Sequence, residues 1–153
     1  MSRPVKWRKV EFLPKSTYFG PLNKPKCELE EIILKVEELE SIRLKDIEEL
    51  SQEECADRMK ISRQTFQNII DSARKKIGIS LTEDKVIHIT GGNYTKNICH
   101  YGCSSCNHTY ETNYENREKI CPNCNSKDVS CIQKENSCLR GCSKRKCNKH
   151  LMI

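Results

Sequence analysis

A mainly α-helical helix-turn-helix domain followed by a small Cys-rich β module of the zinc-ribbon type is the fold class this sequence predicts. Three observations carry that reading. Between residues 51 and 78 two helical patterns, each opened by a serine, follow one another across a short turn. Two C-x2-C knuckles, Cys103–Cys106 and Cys121–Cys124, stand 14 residues apart. Nine of the eleven cysteines lie between Cys99 and Cys147, so the C-terminal part must be stabilised differently from the first 85 residues.

Composition bounds the rest. The 153 residues are 36% hydrophobic, which predicts small cores in need of reinforcement. No segment has the apolar stretch of a signal peptide or approaches the roughly 18 apolar residues of a membrane span. A cytoplasmic protein is therefore expected, with no membrane partner. In a reducing compartment, cysteines serve better as metal ligands than as disulfides. The formal charge of +6 is uneven: residues 1–26 carry seven cations and one anion, and residues 27–50 carry three and nine. We divide the chain into a basic extended arm (1–26), a helix-turn-helix DNA-binding domain (27–95), a zinc ribbon (96–132) and a basic Cys-rich tail (133–153).

Within the arm, Pro4, Pro14, Pro21, Pro25 and Gly20 deny a long helix. Its aromatic and basic residues suit either a strap packed on its own domain or a nucleic-acid contact. From Leu29 to Ile47, apolar residues recur at spacings of three and four among many acids, which predicts a helix with a solvated acidic face and a scaffold role.

Ser51-Gln52-Glu53-Glu54 is a capping box, and the helix it opens carries Cys55, Ala56 and Met59 inward. Ser62 caps a second helix, from Arg63 to about Ile77, with Phe66, Ile69, Ile70, Ala73 and Ile77 on its buried side and Gly78 as its stop. In a helix-turn-helix the second helix enters the major groove by its first residues. Those are Arg63, Gln64, Thr65, Gln67 and Asn68 here. Arginine suits the two acceptors of guanine, glutamine and asparagine suit adenine, and threonine suits the thymine methyl. Arg74, Lys75 and Lys76 lie where phosphates would be met. The alternative is a helical hairpin whose polar face is only solvated.

Further residues carry a resemblance. Arg3-Pro4, Lys6-Trp7-Arg8-Lys9-Val10, Phe19-Gly20-Pro21-Leu22, Glu38-Leu39-Glu40-Ser41-Ile42-Arg43-Leu44, Ser51 to Ala56, Ala73 to Ile77 and Gly91-Gly92-Asn93-Tyr94 keep their order along the chain. Over about residues 2–95 the sequence resembles the prokaryotic family filed as domain of unknown function one-three-four. Its members are described as predicted DNA-binding proteins with a helix-turn-helix similar to region four of sigma factors. The resemblance implies that residues 51–72 are the DNA-reading unit.

Residues 85–95 alternate β-formers and then reach Gly91-Gly92, which predicts a short strand and a turn, with His88 structural. In the Cys-rich part, Cys103, Cys106, Cys121 and Cys124 are a four-thiolate set for Zn2+, with short strands at 108–112, 117–120 and 128–132. An iron–sulfur cluster is the rival cofactor, and Cys99-x3-Cys103-x2-Cys106 even has the bare spacing of a radical-enzyme motif. A second metal at Cys131, Cys138, Cys142 and Cys147 stands open against free thiols in a basic tail. The expected partner is double-stranded DNA, with a homodimer left open, and the expected function is transcriptional regulation. No catalytic constellation competes, so no enzymatic activity is expected. The alternative is a metal- or redox-responsive protein whose tail senses or mediates protein contacts.

Overall fold

The computed structural model describes residues 6–116 and 119–132. The chain divides into two units, residues 1–94 and 95–153. The proposed second metal set falls largely outside the described residues, since Cys138, Cys142 and Cys147 lie beyond residue 132.

In the first unit, β1 (Arg8–Lys9), β2 (Tyr18–Phe19) and β3 (Glu31–Leu34) precede α1 (Val36–Ile42), which widens into one further turn at Arg43–Ile47. Then come α2 (Gln52–Met59), α3 (Arg63–Glu83) and β4 (Val86–Ile89), with β5 (Tyr94–Thr95) at the boundary. Strand β4 is central: β2 pairs with it antiparallel and β3 parallel. Leu34 and Ile89 point inward from this sheet and join Val10, Val36 and Ala73 in one core. A second core holds Leu44, Cys55, Ala56, Met59, Phe66 and Ile70. Ile42 packs against both.

The continuous helix expected from Leu29 to Ile47 is therefore corrected. Glu31–Leu34 is a strand, and helix begins only at Val36. The β-branched pair Ile32-Ile33 fits either periodicity, and the parallel partner that decides the matter lies more than fifty residues away at Val86–Ile89. The acidic face is solvated only in part: Asp46, Glu48 and Glu49 are exposed, but the acids of α1 are not. Glu37, Glu38 and Glu40 are all buried. Glu38 accepts from Lys76 Nζ (2.8 Å), Ser72 Oγ (2.7 Å) and the Lys35 N–H (2.9 Å). Glu40 meets Arg43 and the Glu11 N–H. Glu37 accepts from the Asn93 N–H (3.3 Å), and beside it Gly92 has a φ of +106° with its α-hydrogen where a Cβ would run into the carboxylate.

Residues 8–11 form a packed strap: Val10 is buried, the Arg8 N–H bonds to the Asn93 carbonyl, and the Glu11 carboxylate pairs with Arg58 and Arg43. Glu48 joins the same two arginines, so strap, α1 and α2 share one charge cluster.

Both serine caps form. Ser51 Oγ accepts from the Glu54 N–H while Glu54 reaches back to the Ser51 N–H, and Ser62 Oγ accepts from the Thr65 N–H. Between α2 and α3 the chain turns through Lys60, at a φ of +58°. Helix α3 does not stop at Gly78. It runs to Glu83 and ends where Asp84 turns left-handed, at a φ of +55°. Gly78 only weakens the helix locally, because beyond it Ser80 is buried and its hydroxyl donates to the Lys85 carbonyl.

In the second unit β6 (Ile98–Cys103) lies between β7 (Thr109–Asn113) and β8 (Val129–Cys131), antiparallel to each. Cys99, Tyr101 and Cys103 alternate inward along β6, and Cys99 and Tyr101 pack with Tyr110, Tyr114 and Cys131. The strand expected at 117–120 is not formed at Lys119 and Ile120, and residues 117 and 118 lie outside the described residues. No helix among the described residues is long and apolar enough to cross a membrane.

Two stability tests follow from this packing. At Gly78 an added Cβ meets nothing within 4 Å, so Gly78→Ala is expected to raise stability by about 0.8 kcal/mol, read by thermal unfolding. Lys76→Met would leave the buried Glu38 carboxylate without its cation. A loss of about 3 kcal/mol is expected, the low end for a broken buried pair because the lysine side chain is 25% exposed.

Titration gives a third. Hydrogen bonding to Arg58 holds the Glu11 carboxyl below its ordinary value of 4.5. For Glu38, burial pushes upward, but the Lys76 and Ser72 hydrogen bonds outweigh it and the net direction is also downward. Groups depressed on folding contribute stability that is present above their unfolded pKa and lost as pH falls through the folded value. Acid unfolding should thus set in below about pH 4.5 and become shallower in Glu11→Gln, followed by helical circular dichroism. An unchanged acid limb would assign that stability elsewhere.

Candidate metal centre and polar helix face

Each cysteine knuckle is a turn built by its own backbone. In the first, Cys103 N–H bonds to the His108 carbonyl and Asn107 N–H to the Cys103 carbonyl. In the second, Cys121 N–H bonds to the Ser126 carbonyl and Asn125 N–H to the Cys121 carbonyl. Asn107 and Asn125 both take a left-handed backbone, at +58° and +56°, directly after the second cysteine of their knuckle. Asparagine tolerates that conformation better than most side chains. The repeat Cys-x2-Cys-Asn was present in the sequence and is the signal that the spacing of cysteines alone did not use. Ser105 Oγ and Ser126 Oγ, 2.9 Å apart, add a link between the two turns.

The four sulfurs come together. Cys103 Sγ lies 3.6 Å from Cys124 Sγ, Cys106 Sγ lies 3.6 Å from Cys121 Sγ, and all four are within 4.8 Å of one another. A tetrahedral zinc with Zn–S bonds of about 2.3 Å sets its sulfurs about 3.8 Å apart. The donor set therefore fits a four-thiolate metal ion. Cys103 and Cys121 are buried and Cys124 is exposed, so the cluster sits at the edge of the module.

The thiols divide sharply in acidity. The Asn123 side chain and the His108 backbone draw Cys106 down to about 6. For Cys103, burial opposes ionisation, but the Cys106 and Ser105 backbone hydrogen bonds outweigh it and the thiol falls below its ordinary value. The Ser126 backbone favours the Cys124 thiolate, but burial and the Cys106, Cys103 and Cys121 sulfurs push that thiol up to about 12. Cys106 thus gives up its proton readily, while burial and the surrounding sulfurs keep the Cys124 proton in place. A divalent cation removes that conflict and links both turns. His100 faces Glu111 and His108 lies against Tyr110, so neither belongs to the group of four.

On α3 Gln64, Gln67, Asn68 and Lys75 lie away from the buried side made by Phe66, Ile69, Ile70 and Ala73, with Arg63 and Arg74 along one border of that side and Thr65 and Lys76 along the other. Arg63, Gln64 and Asn68 are exposed, while Thr65 and Gln67 are half-buried. Arg63 pairs with Glu53 (3.1 Å), Gln64 bonds to Asn68 (3.1 Å), and the Thr65 hydroxyl stays with Ser62. Arg74 is forked on Asp46 (2.5 and 3.4 Å) and Lys75 is exposed. Lys76 departs from its expected place among the phosphate contacts, because its ammonium is turned to buried Glu38. Gln52, at the start of α2, joins this face from outside α3, which its place in the sequence does not reveal. Its side chain bonds to both Arg63 and Gln67.

If the four thiolates hold one ion, Cys121→Ser should lower bound metal by about one equivalent per chain in elemental analysis. Chelation should remove the ordered tyrosine signals of the second unit and leave the helical circular dichroism of the first. Cooperative loss of the helices on chelation would contradict that separation.

A family model described as "Protein of unknown function DUF134" matches residues 1–97. Among curated proteins, a UPF0251 protein of Clostridium botulinum (strain Hall) is 59% identical over 142 residues, covering 93% of this chain and 90% of its own. A UPF0251 protein of Clostridium acetobutylicum is 61% identical over 142 residues, covering 93% of this chain and 99% of its own. Alignments of that length run past the family model into the Cys-rich unit. No solved structure matches.

Proposed function

The chain belongs to the DUF134 family, whose description assigns no activity, and from its own residues we propose a DNA-binding transcriptional regulator with a metal-stabilised C-terminal module. The observation that carries this reading is the exposed start of α3. It follows a capped eight-residue helix across a three-residue turn and gathers Arg63, Gln64, Gln67 and Asn68 on one face. That is the arrangement by which a helix-turn-helix reads base edges.

Mechanism follows from the side chains. Arg63 bridges guanine acceptors, and giving up its exposed pair with Glu53 costs about 0–1 kcal/mol, less than a good base contact returns. Gln64, Gln67 and Asn68 meet adenine, and Thr65 a thymine methyl. Lys75 sits on phosphate, joined by Arg74 once it leaves Asp46. Lys76 is withdrawn from that role by Glu38. Through residue 94 the chain carries seventeen cations and sixteen anions, so attraction to DNA comes from this local face and the salt dependence is shallow. Zn2+ suits Cys103, Cys106, Cys121 and Cys124, where it would supply structure and leave no open position for a reaction. The setting is the cytoplasm, and the chain carries no catalytic role.

Selection of duplexes from a random pool supplies the test. Arg63→Ala should lower affinity for the selected site by about 1–3 kcal/mol and relax preference at one base pair. Lys75→Ala should weaken all sequences alike and flatten the salt dependence. Equal effects of the two variants on every sequence would defeat base reading by α3.

The four-thiolate cluster favours a second reading, a metal- or redox-responsive protein. Zinc thiolates are colourless and iron–sulfur clusters are not, so the absorption spectrum of anaerobically purified protein separates the two ions. Metal-dependent change in DNA affinity of the full chain would favour sensing over a purely structural role.

A further inference from the structure

Gln52 is the first residue of α2, yet its amide is engaged entirely with α3. Its Oε1 accepts from Arg63 Nε at 3.2 Å, and its Nε2 donates to Gln67 Oε1. Gln67 passes the chain on, donating from Nε2 to Asp71 Oδ1 at 2.8 Å. Four side chains on two helices thus form one hydrogen-bonded relay, and Gln52 and Gln67 within it are half-buried.

The remaining bonding capacity is specific. A primary amide has two N–H donors and two acceptor lone pairs on its oxygen. With one donor given to Asp71 and one lone pair taken by Gln52, Gln67 keeps one donor and one acceptor. That is the complement of the N7 and N6 edge of adenine. Arg63 has Nε turned to Gln52, which leaves its terminal NH1–NH2 fork as the end free to meet guanine O6 and N7 once Glu53 is released.

We propose that Gln52 is a positioning residue that sets base specificity: it fixes Arg63 and Gln67 relative to each other, so that guanine and adenine are read together as one step. This rests on the DNA-reading function proposed above. Gln52 need touch no base, because its effect is to hold the two readers in orientations they would otherwise sample among many rotamers.

Base preference of the full chain, measured by duplex selection, tests this alongside low-salt affinity for unselected DNA. Gln52→Ala should lower discrimination by about tenfold at two positions at once, those relaxed singly by Arg63→Ala and Gln67→Ala. Adding Gln52→Ala to Arg63→Ala should cost nothing more at the arginine's position. Gln52→Glu keeps the acceptor for Arg63 and loses the donor to Gln67, so it should retain the guanine preference and lose the adenine preference. Circular dichroism of each variant confirms that the helices persist. Weakening of all sequences alike by Gln52→Ala, with preferences intact, would overturn the proposal and leave Gln52 a phosphate contact or a packing residue. Wild-type protein without sequence preference would overturn the DNA-reading function itself, a result distinct from the first.

Discussion

The first unit depends on three carboxylates of α1. Glu37, Glu38 and Glu40 are buried, and each reaches a different distant segment: the Gly92-Asn93 turn, α3 through Lys76 and Ser72, and the N-terminal strap through the Glu11 backbone. A seven-residue helix with only three apolar residues, Val36, Leu39 and Ile42, has little apolar surface with which to hold these parts. Hydrogen-bonded charge does that work, supplemented by two small cores that meet at Ile42. Buried charge is a poor source of net stability but is severe on wrong arrangements, since any packing that strands one of the three carboxylates is heavily penalised. The pose of α3, and with it the polar face, is tied to this constraint through Lys76.

The second unit answers the same shortage of apolar residues by other means. Its core is a handful of tyrosines and cysteines around β6. The Asn123 side chain and the His108 backbone draw Cys106 down to about 6, while burial and the neighbouring sulfurs outweigh the Ser126 backbone and hold Cys124 up at about 12. In one unit carboxylates are neutralised by lysine, arginine and backbone amides. In the other the sulfurs gather in a geometry suited to an external ion.

What could be read from the sequence was whatever is local. The Ser51 box and the Ser62 cap involve partners three residues away, and both formed as the sequence implied. The two knuckles were legible for the same reason, and their convergence into one group of four follows from the preference of such turns for a shared ion. Non-local facts were not legible. Nothing near Glu31–Leu34 announces a parallel partner at Val86–Ile89, and nothing around Gly78 reveals that contacts further along keep α3 helical to Glu83. The buried glutamates look like a solvated face until Lys76, Arg43 and the turn at Gly92 are brought against them. On the polar face, residue types could be named, but not their bonding: Lys76 turns inward, and Gln52 enters from the neighbouring helix.

The near-duplicate knuckles bear on how the second unit comes into being at the ribosome. Synthesis delivers Cys103 and Cys106 together with the β6–β7 hairpin, while Cys121, Cys124 and β8 follow later. A lone knuckle offers two thiolates, half of the four-sulfur set that would hold an ion firmly. Commitment comes only when the second left-handed asparagine closes its turn and β8 completes the sheet beside β6. An ion that needs all four sulfurs would therefore find its site only after the second knuckle has been made.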